Sequence, residues 1–189
     1  MDIGQGAGLS GASGVRPFLP ALLAGALARE DSGIDFDGTS FSFLESPWFL
    51  LAVFALAVGA YLAERQGLSG LIDRVLLAFG VLLGALLFAG SLADGNHESW
   101  PGILAGIVCA GLGYFAVASL FARARKRISD SGGAVALLGL YSDVIALALA
   151  GLSILFPPLA FVALAAFLVL IVRSRGESAQ KYEGLRSLR

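Results

Sequence analysis

Two ionisable residues, Arg16 and Asp143, lie inside long apolar stretches of the sequence, at residues 8–28 and 133–156. Both stretches are long enough to cross a bilayer, because a hydrocarbon core about 30 Å thick requires about 20 helical residues. A charged side chain at such a depth costs free energy. It is therefore retained where it is paired, solvated or needed for function. Opposite charges at similar depth therefore predict an ion pair in a polar interior.

The sequence around Arg16 is irregular for a membrane helix, because glycines and two prolines, Pro17 and Pro20, surround the charge. Proline has no amide proton, so carbonyl groups near residues 13 and 16 lose their helical donors. Irregular backbone at membrane depth is tolerated where protein or a water-filled cavity surrounds it, as in the broken helices of transporters. We expect a break near Ser13–Pro17. The alternative is a kinked helix in which Arg16 extends toward the interface.

Asp143 lies on a helical face with room beside the carboxylate, since positions 139, 143 and 146–147 share that face and residue 139 is glycine. The candidate substrate or ion pathway comprises the two charges and the polar or irregular positions near them: Arg16, Asp143, Ser13, Pro17, Tyr141 and Ser142. The alternative is a pair that only holds helices together. The sequence leaves both interpretations open.

A second group of charges flanks the short connection around Gly67 and Gly70, and consists of Glu64, Arg65, Asp73 and Arg74. Their alternating signs predict a network at the inner mouth of a pathway. Solvated helix ends are the alternative.

Composition indicates a membrane protein, because 57% of residues are hydrophobic and 14% are charged. Soluble domains contain about 45–50% apolar and about 25% charged residues. A net charge of −1 gives no indication of nucleic-acid binding, and a single histidine rules out a histidine-rich metal site. The sequence contains no recognisable catalytic cluster, so we expect neither an enzyme nor a cofactor.

Six apolar segments are predicted to span the membrane: 8–28, 47–63, 71–92, 100–121, 133–156 and 158–172. The last two are separated at Phe156-Pro157-Pro158, where proline ends a helix. The predicted fold is an all-α, polytopic transmembrane helix bundle whose first span is broken by glycine and proline. Residues 1–189 would form a single integral membrane domain with a cytoplasmic tail at 174–189.

The basic residues support a multi-pass arrangement with both termini in the cytoplasm, because cytoplasmic loops are enriched in lysine and arginine. All of them except Arg16 and Arg29 fall in alternate connections or the tail: Arg65, Arg74, Arg123, Arg125, Lys126, Arg127, Arg173, Arg175, Lys181, Arg186 and Arg189. Trp48 and Trp100 fall at the opposite boundary, where amphipathic rings prefer to lie. Omission of the first span would leave the other loops in place and put the N-terminus outside.

Several short motifs resemble an uncharacterised bacterial membrane family, domain-of-unknown-function family 4126. They are the Gly-Val-Arg-Pro-Phe-Leu-Pro run at 14–20, Ser46-Pro47-Trp48, Ala63-Glu64-Arg65, Gly132-Gly133 and residues 140–144. The resemblance covers nearly the whole chain and implies a multi-helix fold of the bacterial inner membrane without an established activity. The family also has an arginine and an acid where Arg16 and Asp143 stand. This chain has Gln66-Gly67 in place of the family's proline after Ala-Asp-Lys.

Two functional interpretations follow. A small transporter or channel with a polar site at Arg16 and Asp143 is favoured by the intramembrane charges and the broken first span. The alternative is a structural or assembly protein whose buried charges only hold helices together. Membrane lipids are the expected partners, and assembly into a homo-oligomer is the other partnership considered.

Overall fold

The computed structural model describes the backbone of residues 2–65, 69–127 and 132–186, and the side chains of residues 2–63, 74–120 and 139–173. Within these ranges every long element is a helix and no strand occurs, which confirms the predicted all-α fold. The helices are α1 (Asp2–Val15), α2 (Phe18–Arg29), α3 (Pro47–Arg65), α4 (Ser69–Asp94), α5 (Trp100–Arg127), α6 (Gly132–Leu155) and α7 (Pro158–Arg186), with a short 3₁₀ helix at Ser42–Glu45.

Helix α1 is the central helix of the bundle, and all of its residues from Gly4 to Val15 are buried. It packs against α4, α5, α6 and α7. Its glycines lie directly on neighbouring backbones, since a Cβ at Gly14 would meet the carbonyl oxygen of Ala110 and one at Gly113 would meet that of Gly11. Small residues allow this close approach between helices, which is how membrane helices associate without a hydrophobic driving force.

Hydrogen bonds tie the start of α1 to one end of the bundle. The hydroxyl of Ser91 donates to the Asp2 carbonyl at 2.9 Å, and Nε2 of Gln5 donates to the Gly33 carbonyl at 2.8 Å. Asp35, in the loop after α2, also contacts Asp94. We call this end of the bundle the acidic end, because it carries Asp2, Asp31, Asp35, Asp37, Glu45 and Asp94.

Helices α1 and α2 form a helical hairpin. Helix α1 runs from the acidic end into the bundle, with Gly6 against Phe88 and Ser13 against Gly80. Helix α2 then returns, since Phe18 stacks on Phe79 and the loop after α2 places Gly33 beside Ile154, near the acidic end.

The predicted break of the first span is therefore confirmed, at Arg16–Pro17. The helix breaks there because Pro17 has no amide proton to continue the backbone hydrogen bonds of α1. The predicted membrane span at residues 8–28 stays a prediction; in the structure these residues belong to two helices of a hairpin whose two ends both lie at the acidic end. The other predicted spans fall on α3–α7, although α7 continues as a helix to Arg186. The predicted number of six spans is not confirmed.

The outer surface of the bundle is apolar, and its interior contains small and polar residues. Large exposed side chains on α3 and α5 to α7 include Phe54, Leu104, Phe115, Leu140 and Val162. Soluble monomers rarely expose apolar patches of this extent. Among the described residues, Arg74–Asp94 and Trp100–Leu120 are helices long and apolar enough to cross a membrane, and four shorter helices are also apolar. These are the features of a helical membrane protein.

The close packing of α1 predicts that alanine substitutions at two glycines of α5 differ in their effect on stability. Gly113→Ala places a methyl group against the backbone of Gly11, and such overpacking costs about 1–3 kcal/mol. Gly111 has open space around it, so Gly111→Ala on the same helix should be neutral or stabilising by up to about 1 kcal/mol. Thermal unfolding of both variants in detergent measures the difference, and equal melting temperatures would contradict the described packing.

Candidate functional site

The structure brings Arg16 and Asp143 together. Nε of Arg16 lies 2.8 Å from Oδ1 of Asp143, and the two side chains are 19% and 37% exposed. Arg16 comes from the tip of the hairpin, whereas Asp143 comes from α6. The pair therefore joins the hairpin to the surrounding bundle, and it is partly accessible.

The backbone at the tip explains how Arg16 reaches α6. The amide of Arg16 still donates to the carbonyl of Ala12 at 3.0 Å, so the last turn of α1 continues through Arg16. Pro17 follows with φ −64° and ψ −41° but has no amide to donate to the carbonyl of Ser13. That carbonyl faces α4, where Gly80 has no side chain to obstruct it.

Gly139 provides space for the guanidinium group. A Cβ at this position would lie 3.1 Å from an Nη of Arg16. Gly139 and Asp143 are one helical turn apart on α6, so they share a face. The glycine predicted to leave room beside the carboxylate in fact leaves room for the arginine that the carboxylate holds.

The pair lies on an open groove of about 240 Å³. Its lining comes from the hairpin tip, α3, α4 and α6, and comprises Arg16, Pro17, Phe18, Leu19, Ala57, Val58, Ala60, Tyr61, Leu76 and Asp143. Within the described residues α3 packs on α2 and α4 and makes no contact with α6. Val58 and Tyr61 are exposed, so the groove opens sideways, toward the apolar outer surface.

The groove lies away from the acidic end. In its wall, Tyr61 is four residues before the end of α3 at Arg65, and Leu76 is seven residues after the start of α4 at Ser69. The groove wall thus comes within about one to two helical turns of the ends of α3 and α4, whereas Asp143 lies at the middle of α6, between Gly132 and Leu155.

Some of the predicted pathway residues lie elsewhere. Ser13 is fully buried and its hydroxyl donates to the Leu9 carbonyl at 2.9 Å, within α1. Tyr141 is 67% exposed and Ser142 is 2% exposed, and neither lines the groove. Pro17 does line it. Tyr61 was not predicted as a site residue. Tyrosine near the end of an apolar span is common at the membrane–water interface, so it gives no specific signal for a site.

The predicted inner-mouth charges are largely outside the described side chains. Glu64, Arg65 and Asp73 fall there, and Arg74 is exposed. The network between them stays a prediction.

A separate polar cluster is found at the acidic end. Carboxylate oxygens of Asp35, Asp37 and Glu45 lie within 4.8 Å of one another. The amide of Asp37 donates to Oδ1 of Asp35 at 2.7 Å. Burial raises the pKa of Glu45, and the nearby negative charge of Asp37 raises it further. These carboxylates are away from the ion pair, so the two sites are distinct.

A family model described as a domain of unknown function (DUF4126) matches residues 3–176, which include the hairpin, the ion pair and the groove. The chain belongs to this family. No curated protein and no solved structure matches the chain. The DUF4126 family supplies no activity, so the function has to be argued from the site itself.

The ion pair predicts a measurable coupling between positions 16 and 143. Arg16→Asp and Asp143→Arg should each destabilise the protein, because each puts two like charges side by side. The charge-swapped double variant should recover part of the loss, with a coupling energy of about 0.5–3 kcal/mol for residues in contact. Thermal or denaturant unfolding of the four proteins in detergent completes the cycle.

A matched control uses Arg29, which is exposed at the end of α2. The effects of Arg29→Asp and Asp143→Arg on the free energy of unfolding should be additive. Purely additive effects at positions 16 and 143 would exclude the contact.

Proposed function

We propose that this chain is a multi-pass carrier of the cell membrane, with Arg16 and Asp143 as its binding site. The single observation that carries the proposal is the placement of the ion pair. It lies at the tip of the α1–α2 hairpin and lines a groove that is open on one side of the bundle. Intramembrane ionisable residues that face a cavity are typical of substrate and ion pathways.

The proposed topology follows from the distribution of charge. The acidic end faces outside, and the opposite end, with Arg74 and the basic connections, faces the cytoplasm. Helices α3–α7 then cross the membrane, the hairpin enters and leaves from the outside, and the C-terminus is cytoplasmic. The N-terminus is outside, in contrast to the cytoplasmic position expected from six spans. The exposed rings of Trp48 and Trp100 then lie at the outer boundary.

This topology predicts the labelling of single cysteines in a Cys109→Ala background. Cysteines at the exposed positions Ile3 and Ser40 should react with a membrane-impermeant maleimide added to intact cells. A cysteine at Arg74, also exposed, should react only after permeabilisation. Protection of position 3 together with labelling of position 40 would restore a cytoplasmic N-terminus and overturn the re-entrant arrangement.

A carrier suits this architecture better than a channel, because α1 occupies the axis of the bundle. Its buried, glycine-rich surface separates the groove from the acidic end. The groove is thus accessible from one side and closed from the other, as one of two access states would be. Transport then requires a second state in which the hairpin moves and the pair rearranges, because a ligand shifts a conformation only by binding the two states differently.

A structural role is the second candidate, and one observation favours it. The glycines of α1 touch the backbones of α4 and α5 directly, and this packing resists movement. Under this interpretation Arg16 and Asp143 only hold the hairpin against α6.

A liposome experiment separates the two candidates. Purified protein is reconstituted and assayed for movement of chloride, phosphate, glycine and fluorescent phospholipids, against empty liposomes. A carrier is expected to move at least one of these probes, and the charge-removing changes Asp143→Asn and Arg16→Gln should each reduce that flux. Arg29→Gln, at the acidic end, should not.

Thermal unfolding confirms that each reconstituted variant is folded. Flux that is unchanged in folded Asp143→Asn protein, or wild-type protein that moves no probe, would replace the carrier with the structural role.

A further inference from the structure

We infer that the groove binds the headgroup of a zwitterionic phospholipid, with the phosphate on Arg16 and the primary ammonium group on Asp143. The inference rests on the proposed function in using the same site, and it names the class of ligand. It requires a bound lipid but not its movement across the membrane.

The charges of the site favour a zwitterion. Arg16 and Asp143 lie side by side in one groove, so the site carries one positive and one negative group and no net charge. A simple anion drawn to Arg16 would also meet the carboxylate of Asp143, and a simple cation would meet the guanidinium. A molecule with both charges, separated by a short spacer, satisfies each group with an opposite partner.

The hydrogen-bonding groups of the site match a phosphate and a primary ammonium group. A guanidinium has five N–H donors in a planar fork, a geometry that holds a carboxylate and a phosphate oxygen at the same time. A primary ammonium group has three donors and no acceptor, so it complements a carboxylate. Charge-assisted bonds of both kinds are stronger than those between neutral groups.

The groove extends from the ion pair toward the end of the bundle opposite the acidic end. Tyr61 and Leu76, in its wall, lie within about one to two turns of the ends of α3 and α4, and Asp143 lies deeper, at the middle of α6. The outer part of the groove is therefore near the boundary where a phospholipid carries its charges. A headgroup that enters there follows the groove inward to the ion pair, where the two charges of the protein replace its partners at the membrane surface.

The opening and the size of the groove suit a lipid headgroup. The walls contributed by Leu19, Val58 and Leu76 are apolar, and the opening faces sideways between α3 and α6. Exposed apolar residues such as Phe54 and Val144 continue from the groove onto the outer surface of these helices. About 240 Å³ is less than the roughly 300–1,000 Å³ of ordinary small-molecule pockets, so the groove accommodates a headgroup while the acyl chains remain in the bilayer.

The test compares three phospholipids with identical acyl chains: phosphatidylethanolamine, phosphatidylglycerol and phosphatidylcholine. Binding to the full chain in detergent is measured by native mass spectrometry and by the shift in melting temperature. Phosphatidylethanolamine should bind most tightly. Phosphatidylglycerol lacks the cation, and the quaternary ammonium of phosphatidylcholine has no N–H to donate.

Variants then assign each charge to its partner. Asp143→Asn should reduce phosphatidylethanolamine binding by about tenfold, the loss expected from one charge-assisted contact, and should improve phosphatidylglycerol binding. Arg16→Gln should weaken both lipids, and Arg29→Gln should change neither. Equal binding of the three lipids by the wild type, or an unchanged preference in Asp143→Asn protein, would overturn the inference.

Two tryptophan substitutions test the site without changing its charges, in case the charge variants fail to fold. Val58→Trp fills the groove from an exposed position of α3, and Leu51→Trp places the same side chain on the same helix outside the groove. Only Val58→Trp should reduce phosphatidylethanolamine binding. Equal effects of the two tryptophans would contradict a headgroup in the groove.

Soluble zwitterions distinguish the source of the ligand. Glycine and free phosphoethanolamine are added in place of lipid, and neither should match the stabilisation by phosphatidylethanolamine. If they do, the site takes a water-borne zwitterion and the lipid is excluded as its ligand.

The lipid-binding test and the flux test can fail separately. Selective phosphatidylethanolamine binding without flux of any probe would retain the headgroup site and reject the carrier. Flux of chloride or phosphate without a lipid preference would do the reverse.

Discussion

The close backbone packing of helix α1 is the constraint on which the rest of this structure depends. A helix of glycine, alanine and serine lies at the centre of the bundle, where soluble proteins place large apolar side chains. Small residues give little apolar burial, so the stabilisation comes from van der Waals contact between backbones and from hydrogen bonds such as Ser10 to the Gly84 carbonyl. The large apolar residues are left for the outer surface, where lipid accommodates them.

The same packing determines where the charges lie. Because α1 is fixed among its neighbours, the chain must reverse at Arg16 and Pro17 before α2 returns to the acidic end. The reversal places the arginine beside α6, where Gly139 makes space and Asp143 provides the opposite charge. An isolated cation in apolar surroundings costs free energy. For Arg16 the carboxylate of Asp143 and access to the groove offset this cost.

The two ends of the bundle have different chemistry. The acidic end carries a cluster of carboxylates, in which burial and neighbouring charge raise the pKa of Glu45. Toward the opposite end a single ion pair faces an apolar groove. Helix α1 separates these regions, so an account of function that links them has to include movement of the hairpin.

The sequence by itself determined the fold class, the positions of α3–α7, the break beside Pro17 and the pairing of Arg16 with Asp143. Apolar segments and helix breaks at proline depend on the local sequence, and the pairing of buried charges depends on matching opposite signs. These features can therefore be predicted from composition and spacing. Only the tertiary structure decided that the first segment turns back, since the deciding contacts join residues distant in sequence, such as Gln5 and Gly33. It also decided that Tyr61 lines the groove and Ser13 does not, because the face a helix presents depends on its neighbours.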